Sequence, residues 1–141
     1  MHSLTKVKDW MINLVVFIDP DQTVLDALTT MRRRYLNSLI VDKSETNPEY
    51  GIVTSTDICD KIVAQRQNAS NIKISEIMSS PLVSVTPDQT IYDCAEKMSE
   101  FRIHHLPVTN ENGDVIGMIS ATDFLVVAEA IAHGEGDQLL R

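Results

Sequence analysis

Cysteine is scarce in this chain: Cys59 and Cys94 are the only two in 141 residues, far apart and in no metal-type spacing. Each falls inside a helical pattern, so each reads as a small buried hydrophobe, and a reducing, cytoplasmic setting fits that usage. Long apolar runs are also missing. "LVVFI" and "FLVVA" fall far short of the roughly 18 residues a spanning helix needs. The N-terminus lacks a basic-then-apolar signal pattern. The expectation is a cytoplasmic chain without a membrane anchor. Basic residues are scarce in one half only. Residues 1–73 hold 9 Lys+Arg against 9 Asp+Glu; residues 74–141 hold 3 against 11, which accounts for the whole net charge of -8. Nucleic-acid binding over a broad face needs many cations and is argued against. The one basic cluster, "RRR" at 32–34, reads as a solvated helix face. Catalytic signatures are absent too: there is no serine on a glycine elbow, no phosphate loop ending in Gly-Lys-Ser/Thr and no Cys-His metal set. The chain therefore reads as no enzyme, with no required cofactor.

What is present is written twice. "DPDQTVLDALTTM" (19–31) aligns with "TPDQTIYDCAEKM" (86–98) at an offset of 67, and "SLIV" (38–41) with "HLPV" (105–108) at the same offset. Met11 and Met78 keep that offset, as do Met31 and Met98, so the methionines read as packing residues rather than a special stripe. "GIVTSTDI" (51–58) and "GMISATDF" (117–124) are offset by 66, one residue having been lost in the turn before them.

Each copy has one grammar. Short β-branched runs ending at Pro, 15–18 and 82–85, predict first strands. Val24, Leu28, Met31 and Tyr35 at helical spacing predict a helix, repeated by Ile91, Ala95 and Met98. "SLIVD" and "HHLPVT" predict second strands, and "YGIVT" and "VIGMIS" third strands, joined in copy two by the hairpin signal "NENGD". Second helices are expected over 55–67 and 121–133. The fold class is therefore α/β (α+β): two repeats of strand-helix-strand-strand-helix, at 5–67 and 74–133, with a linker at 68–73 and a tail at 134–141 broken by Gly134 and Gly136. A repeat of this size is marginal alone. The expectation is that two pack about a pseudo-two-fold axis into one module, with clefts between them as the place for a ligand.

Ser/Thr-x-x-Asp occurs four times, and capping is the first reading of each: a hydroxyl caps a helix and an acid follows three residues on. Thr23/Asp26 and Thr90/Asp93 are read as caps alone. Thr54/Asp57 and Ser120/Asp123 differ. They stand at the carboxyl ends of third strands, where ligands gather in sheet-and-helix proteins. A glycine precedes each and lets another group or backbone come close. A second hydroxyl, Thr56 or Thr122, stands beside each Asp, and capping does not need it. Helix N–H groups suit a phosphate, and an acid suits the paired hydroxyls of a ribose.

These residues carry a resemblance. The two Gly-x-x-Thr/Ser-x-x-Asp stretches, each after a strand-helix-strand, resemble the signature of CBS domains, the regulatory domains of cystathionine-β-synthase type, over about residues 7 to 131; a tandem pair is a Bateman module. The resemblance implies a regulatory module without chemistry of its own, binding AMP, ADP or ATP, with S-adenosylmethionine ranked behind them. Asp57 and Asp123 would hold ribose; Thr54, Thr56, Ser120 and Thr122 would be hydroxyl partners. A basic residue before "LPV" would meet phosphate, here His104 or His105. Copy one has Asn37 and Ser38 there, so copy two is the closer match. Successive strand residues face opposite ways, so the two histidines are not read as a metal pair, while His2 and His133 read as surface residues. The implied partners are the nucleotide, a second copy in a homodimer, head-to-head or head-to-tail, and an effector protein in trans. The competing reading is a dimerisation or docking module whose motifs are only caps. Arg32–Arg34 could then meet the acidic half of a second copy.

Overall fold

Both copies of the grammar are realised in the computed structural model, which describes residues 5–133. The tail and the N-terminal residues, His2 included, lie outside the described residues. In space the chain divides into a continuous unit, Val16–Leu82, and a discontinuous one, whose described residues are 5–15 and 83–133.

The continuous unit holds β1 (Phe17–Ile18), α1 (Val24–Arg34), β2 (Ser38–Val41), β3 (Gly51–Thr54) and α2 (Ser55–Ile58). The sheet order is β1-β2-β3, parallel and then antiparallel, with Ser38 opposite Thr54 and Val41 opposite Gly51. β2 sits in the middle and buries Leu39, Ile40 and Val41 in succession, as a strand covered on both faces must. α1 begins at a reciprocal capping box: the Thr23 hydroxyl accepts from the Asp26 amide at 3.2 Å and the Asp26 carboxylate accepts from the Thr23 amide at 3.1 Å. It ends where Tyr35 turns left-handed at φ 55° and the Leu36 amide reaches back to the Met31 carbonyl. Val24 and Met31 are buried as the periodicity predicts, but between them Ala27 is buried and the expected Leu28 only partly so, and Tyr35 is 96% exposed, because the helix has already unwound there.

The discontinuous unit holds α3 (Ile91–Phe101), β4 (His105–Thr109), β5 (Val115–Ser120) and α4 (Asp123–Ala132). α3 repeats the design of α1, with a Thr90/Asp93 capping box and Arg102 left-handed at φ 55°. Its buried face uses Cys94 between Ile91 and Met98; the expected Ala95 is exposed. β4 and β5 form an antiparallel hairpin closed at Asn110, whose side chain accepts from the Asn112 and Asp114 amides, with Gly113 at φ 80°.

The first strands are shorter than the β-branched runs predict. In copy one only Phe17–Ile18 is extended; in copy two Val85 makes a single parallel bridge to Val108. The repeat offset explains the difference. Ile40 donates its amide to the Val16 carbonyl, whereas its equivalent in β4 is Pro107, which has no N–H to give Val83. The second helix of copy one also departs from expectation. After one α-helical turn the chain widens into a π turn, Cys59–Val63, with the Ala64 amide on the Cys59 carbonyl. A π turn inserts a residue into the helical phase. It carries Ile62 into the core and leaves Cys59 exposed, against the buried reading of that cysteine. The equivalent helix of copy two, α4, stays α-helical and buries Val127.

The residues before each first strand behave alike. Ile12 bridges Met118 of β5, and Ser79 bridges Ile52 of β3. Val7 is fully buried in the core with Val85, Leu106 and Ile119; Ile74 and Ile77 are buried with Leu39, Val53 and Val24. The leading segment of each sequence copy thus lies in the unit built from the rest of the other copy. The stretch between the copies is structured as well. Asn68 caps a short 3₁₀ turn, and Ala69 and Ile72 pack on the core of the continuous unit.

Candidate functional site

β3 and β5 end at the first motif hydroxyls, Thr54 and Ser120; a helix follows at once in copy one and after a two-residue turn in copy two. At Gly51 a Cβ would lie 2.7 Å from the Met78 sulfur and 3.1 Å from the Ser79 carbonyl; at Gly117 it would lie 3.0 Å from both the Met11 sulfur and the Ile12 carbonyl. The space that each glycine opens is filled by the leading segment paired beside it. Met11 and Met78, equivalent by offset, are therefore the neighbours that require the glycines.

In copy one Thr54 is an N-cap in extended conformation, and the capping box is complete. Asp57 donates its amide to the Thr54 hydroxyl at 3.2 Å, and its Oδ2 accepts from the Thr54 amide at 2.9 Å and hydroxyl at 3.2 Å. The other carboxylate oxygen, Oδ1, stands 3.0 Å from the Lys61 ammonium, one turn further on. Lys61 also donates to the Ile77 carbonyl at 2.6 Å. The Asp57 side chain is only 14% exposed, and both its oxygens have partners. Ser55 and Thr56 are exposed. A groove of about 460 Å³ opens beside Ser55, lined also by Leu28, Met31, Arg32, Leu36 and Ile58. Thr54, Thr56 and Asp57 do not line it.

Copy two, with Ser120 in place of Thr54, uses the same spacing differently. Asp123 Oδ2 accepts from the Ser120 amide at 2.7 Å and the Ser120 hydroxyl at 3.2 Å, and the Ser120 and Thr122 hydroxyls are 2.8 Å apart. α4 starts at Asp123 itself, with Thr122 as an N-cap whose side chain does not cap. Among the described residues Asp123 makes no ion pair, and its Oδ1 accepts no hydrogen bond. Where copy one carries Lys61, copy two carries the buried Val127.

The histidines separate, since β4 begins at His105 and His104 lies in the bend before it. His104 is exposed; its carbonyl accepts from the Ala121 amide. His105 is half-buried and directly opposite Ser120 in the β4–β5 ladder. Burial pushes its imidazole pKa down from the ordinary 6.5, His104 pushes the same way, and Asp123 opposes them. The equivalent of His105 in copy one is Ser38, opposite Thr54.

The structure brings together Ser120, Thr122, Asp123 and His105 within one unit, and Thr54, Asp57 and Lys61 within the other. Lys61 went unnoticed in the sequence, although its place four residues after Asp57 on a helix was a usable signal. Chemically, copy two offers one open carboxylate oxygen, a coupled pair of hydroxyls and a titratable ring. Ser120 Oγ is engaged by Thr122 and Asp123 and makes no hydrogen bond with His105. Among the described residues no group of three or more His, Cys, Asp or Glu could hold a metal ion, and no helix is long and apolar enough to cross a membrane.

Comparison with known proteins finds similar chains and folds. The family described as CBS domain matches the chain twice, over residues 7–64 and 74–129. The mitochondrial CBS domain-containing protein CBSX3 of Arabidopsis thaliana is 33% identical over 124 residues, covering 86% of this chain and 58% of that protein. The chain thus spans little more than half of that relative. The hexameric CBS-CP12 protein of bloom-forming cyanobacteria superposes with a TM-score of 0.82 at 31% identity, covering 90% of this chain and 73% of that one. The CBS domain pair of protein MJ0100, solved with methylthioadenosine and S-adenosyl-L-methionine, superposes with a TM-score of 0.77 at 25% identity, covering 90% and 98%.

Proposed function

The chain belongs to the CBS-domain family, with two CBS domains in tandem, and from that premise we propose that it is a regulatory module that binds an adenine nucleotide reversibly and signals by a change of conformation or of dimer geometry. The observation that carries this reading is the copy-two motif. Ser120 and Thr122 present a hydroxyl pair, and Asp123 holds an acceptor oxygen that the protein leaves unused. A ribose diol donates two hydrogen bonds and matches that acceptor; phosphate matches the hydroxyls and the N–H that a neutral His105 ring still offers. The ligands of the MJ0100 pair both contain adenosine, which supports the same chemistry here. AMP, ADP and ATP are the ligands of choice on this reading, with S-adenosylmethionine behind them. The module has no catalytic step of its own; an effector protein in trans reads its state, in the cytoplasm. A homodimer is the proposed assembly, although the cyanobacterial relative is hexameric. A ligand shifts the equilibrium only as far as its affinities for the two states differ.

One observation favours the competing reading, a docking or dimerisation module. Both oxygens of Asp57 are engaged within the protein, as a pure cap would be. Thermal unfolding with AMP, ADP, ATP, S-adenosylmethionine and guanine nucleotides decides between the two. A ligand at 100 times its Kd stabilises by about 2.7 kcal/mol, a rise of roughly 5–10 °C at this size. The nucleotide reading expects that rise with an adenine ligand and its loss in Asp123→Ala. A midpoint unmoved by every ligand, yet lowered by Asp57→Ala and Asp123→Ala, leaves the acids as caps.

A further inference from the structure

The two motifs keep a hydroxyl, a second hydroxyl and an acid at the same spacing, Thr54, Thr56 and Asp57 against Ser120, Thr122 and Asp123, but a residue outside them separates their chemistry. Asp57 has no free oxygen: Oδ2 is held by Thr54 and Oδ1 by Lys61. Lys61 is more than an exposed partner that a ligand could push aside. Its ammonium also donates to the Ile77 carbonyl at 2.6 Å, and Ile77 is fixed by its buried side chain. Releasing Asp57 Oδ1 therefore means breaking a charge-assisted bond to a backbone acceptor that does not follow. Copy two has none of this, because Val127 occupies the equivalent position and faces the core.

We propose that Lys61 closes the copy-one motif and so determines that the chain responds to ligand through Asp123 alone. This rests on the adenine-nucleotide reading above and deepens it. Lys61 touches no reacting group; it acts by holding the carboxylate that a ribose diol would otherwise use.

Titration calorimetry of the full chain with ATP and, separately, AMP tests it. The expected result is one equivalent per chain for the wild type and two for Lys61→Met. Lys61→Gln keeps an N–H donor for the Ile77 carbonyl while removing the charge, and it should match Lys61→Met in stoichiometry even if the methionine variant is too unstable to titrate. In the wild type the Lys61 side-chain NMR signals should stay in place on adding ATP while those of His105 move. Two equivalents in the wild type, or one in all three proteins, overturns this inference and leaves the nucleotide reading standing. So does weaker binding in both variants, which would make Lys61 a phosphate contact. No binding to any of the three overturns the nucleotide reading, and this inference with it.

Discussion

Burial separates the two thiols and the two adjacent imidazoles. Cys94 is fully buried and its pKa is pushed up to about 11, chiefly by desolvation; Cys59 is exposed on the π turn. Thiolate is the reactive form. A thiol reagent at neutral pH should therefore modify one cysteine quickly and the second only on unfolding; two equal fast phases would contradict the placement of Cys94. His105 has its pKa held below 6.5, mainly by burial and further by His104. Well above 6.5 the ring is neutral in both folded and unfolded chains and has no effect on the balance. As pH falls below 6.5 the unfolded chain takes up the proton first, so stability drops until the folded-state pKa is passed. Melting curves between pH 7.5 and 5.5 should show that loss, and His105→Gln should flatten it. An unchanged slope in the variant would assign the loss to other groups.

Close backbone approach governs the elements. Gly117→Ala would bring a methyl group to 3.0 Å from the Ile12 carbonyl, and Gly51→Ala to 3.1 Å from that of Ser79. Neither carbonyl can turn away without breaking the bridge it belongs to, so each variant should lose about 1–3 kcal/mol in urea unfolding. A neutral result at Gly117 would mean that the bridging segment yields. The same elements show what the sequence could carry. Period-three and period-four apolar spacing with Thr-x-x-Asp caps made α1 and α3 legible, and two apolar runs joined by the turn signal "NENGD" did the same for β4 and β5. The first strand of copy two was not legible as a lone bridge, since β-branched propensity says nothing of a partner whose amide is missing, here Pro107. The π turn was hidden for a related reason: its residues keep helical propensity, and only packing of Ile62 reveals the extra residue. At the site, the hydroxyls and acids were readable from spacing. Their inequivalence lay in Lys61, whose second partner, Ile77, is sixteen residues away and reachable only in the fold.

At the scale of the whole molecule the unit of sequence and the unit of packing do not coincide. Val7, written at the head of copy one, is buried with β4 and β5; Ile74, at the head of copy two, is buried with β2 and β3. Each side chain is fully inaccessible, and removing it should cost about 1 kcal/mol or more for valine and 2–5 kcal/mol for isoleucine. Hydrogen exchange resolves where the loss falls. Ile74→Ala should speed exchange in β2 and β3 of copy one, and Val7→Ala in β4 and β5 of copy two. Faster exchange confined to each residue's own copy would contradict the arrangement. The same crossing bears on how a doubled chain of this kind comes to exist. In this arrangement the leading segment of a half-length ancestor carrying one copy would complete the core of a second molecule and not its own. Two such chains, each inserting its N-terminal residues into the other, would make the same two cores as a domain-swapped dimer. Gene fusion through residues 68–73 would then convert an obligate pair of molecules into a single polypeptide without relocating any buried side chain.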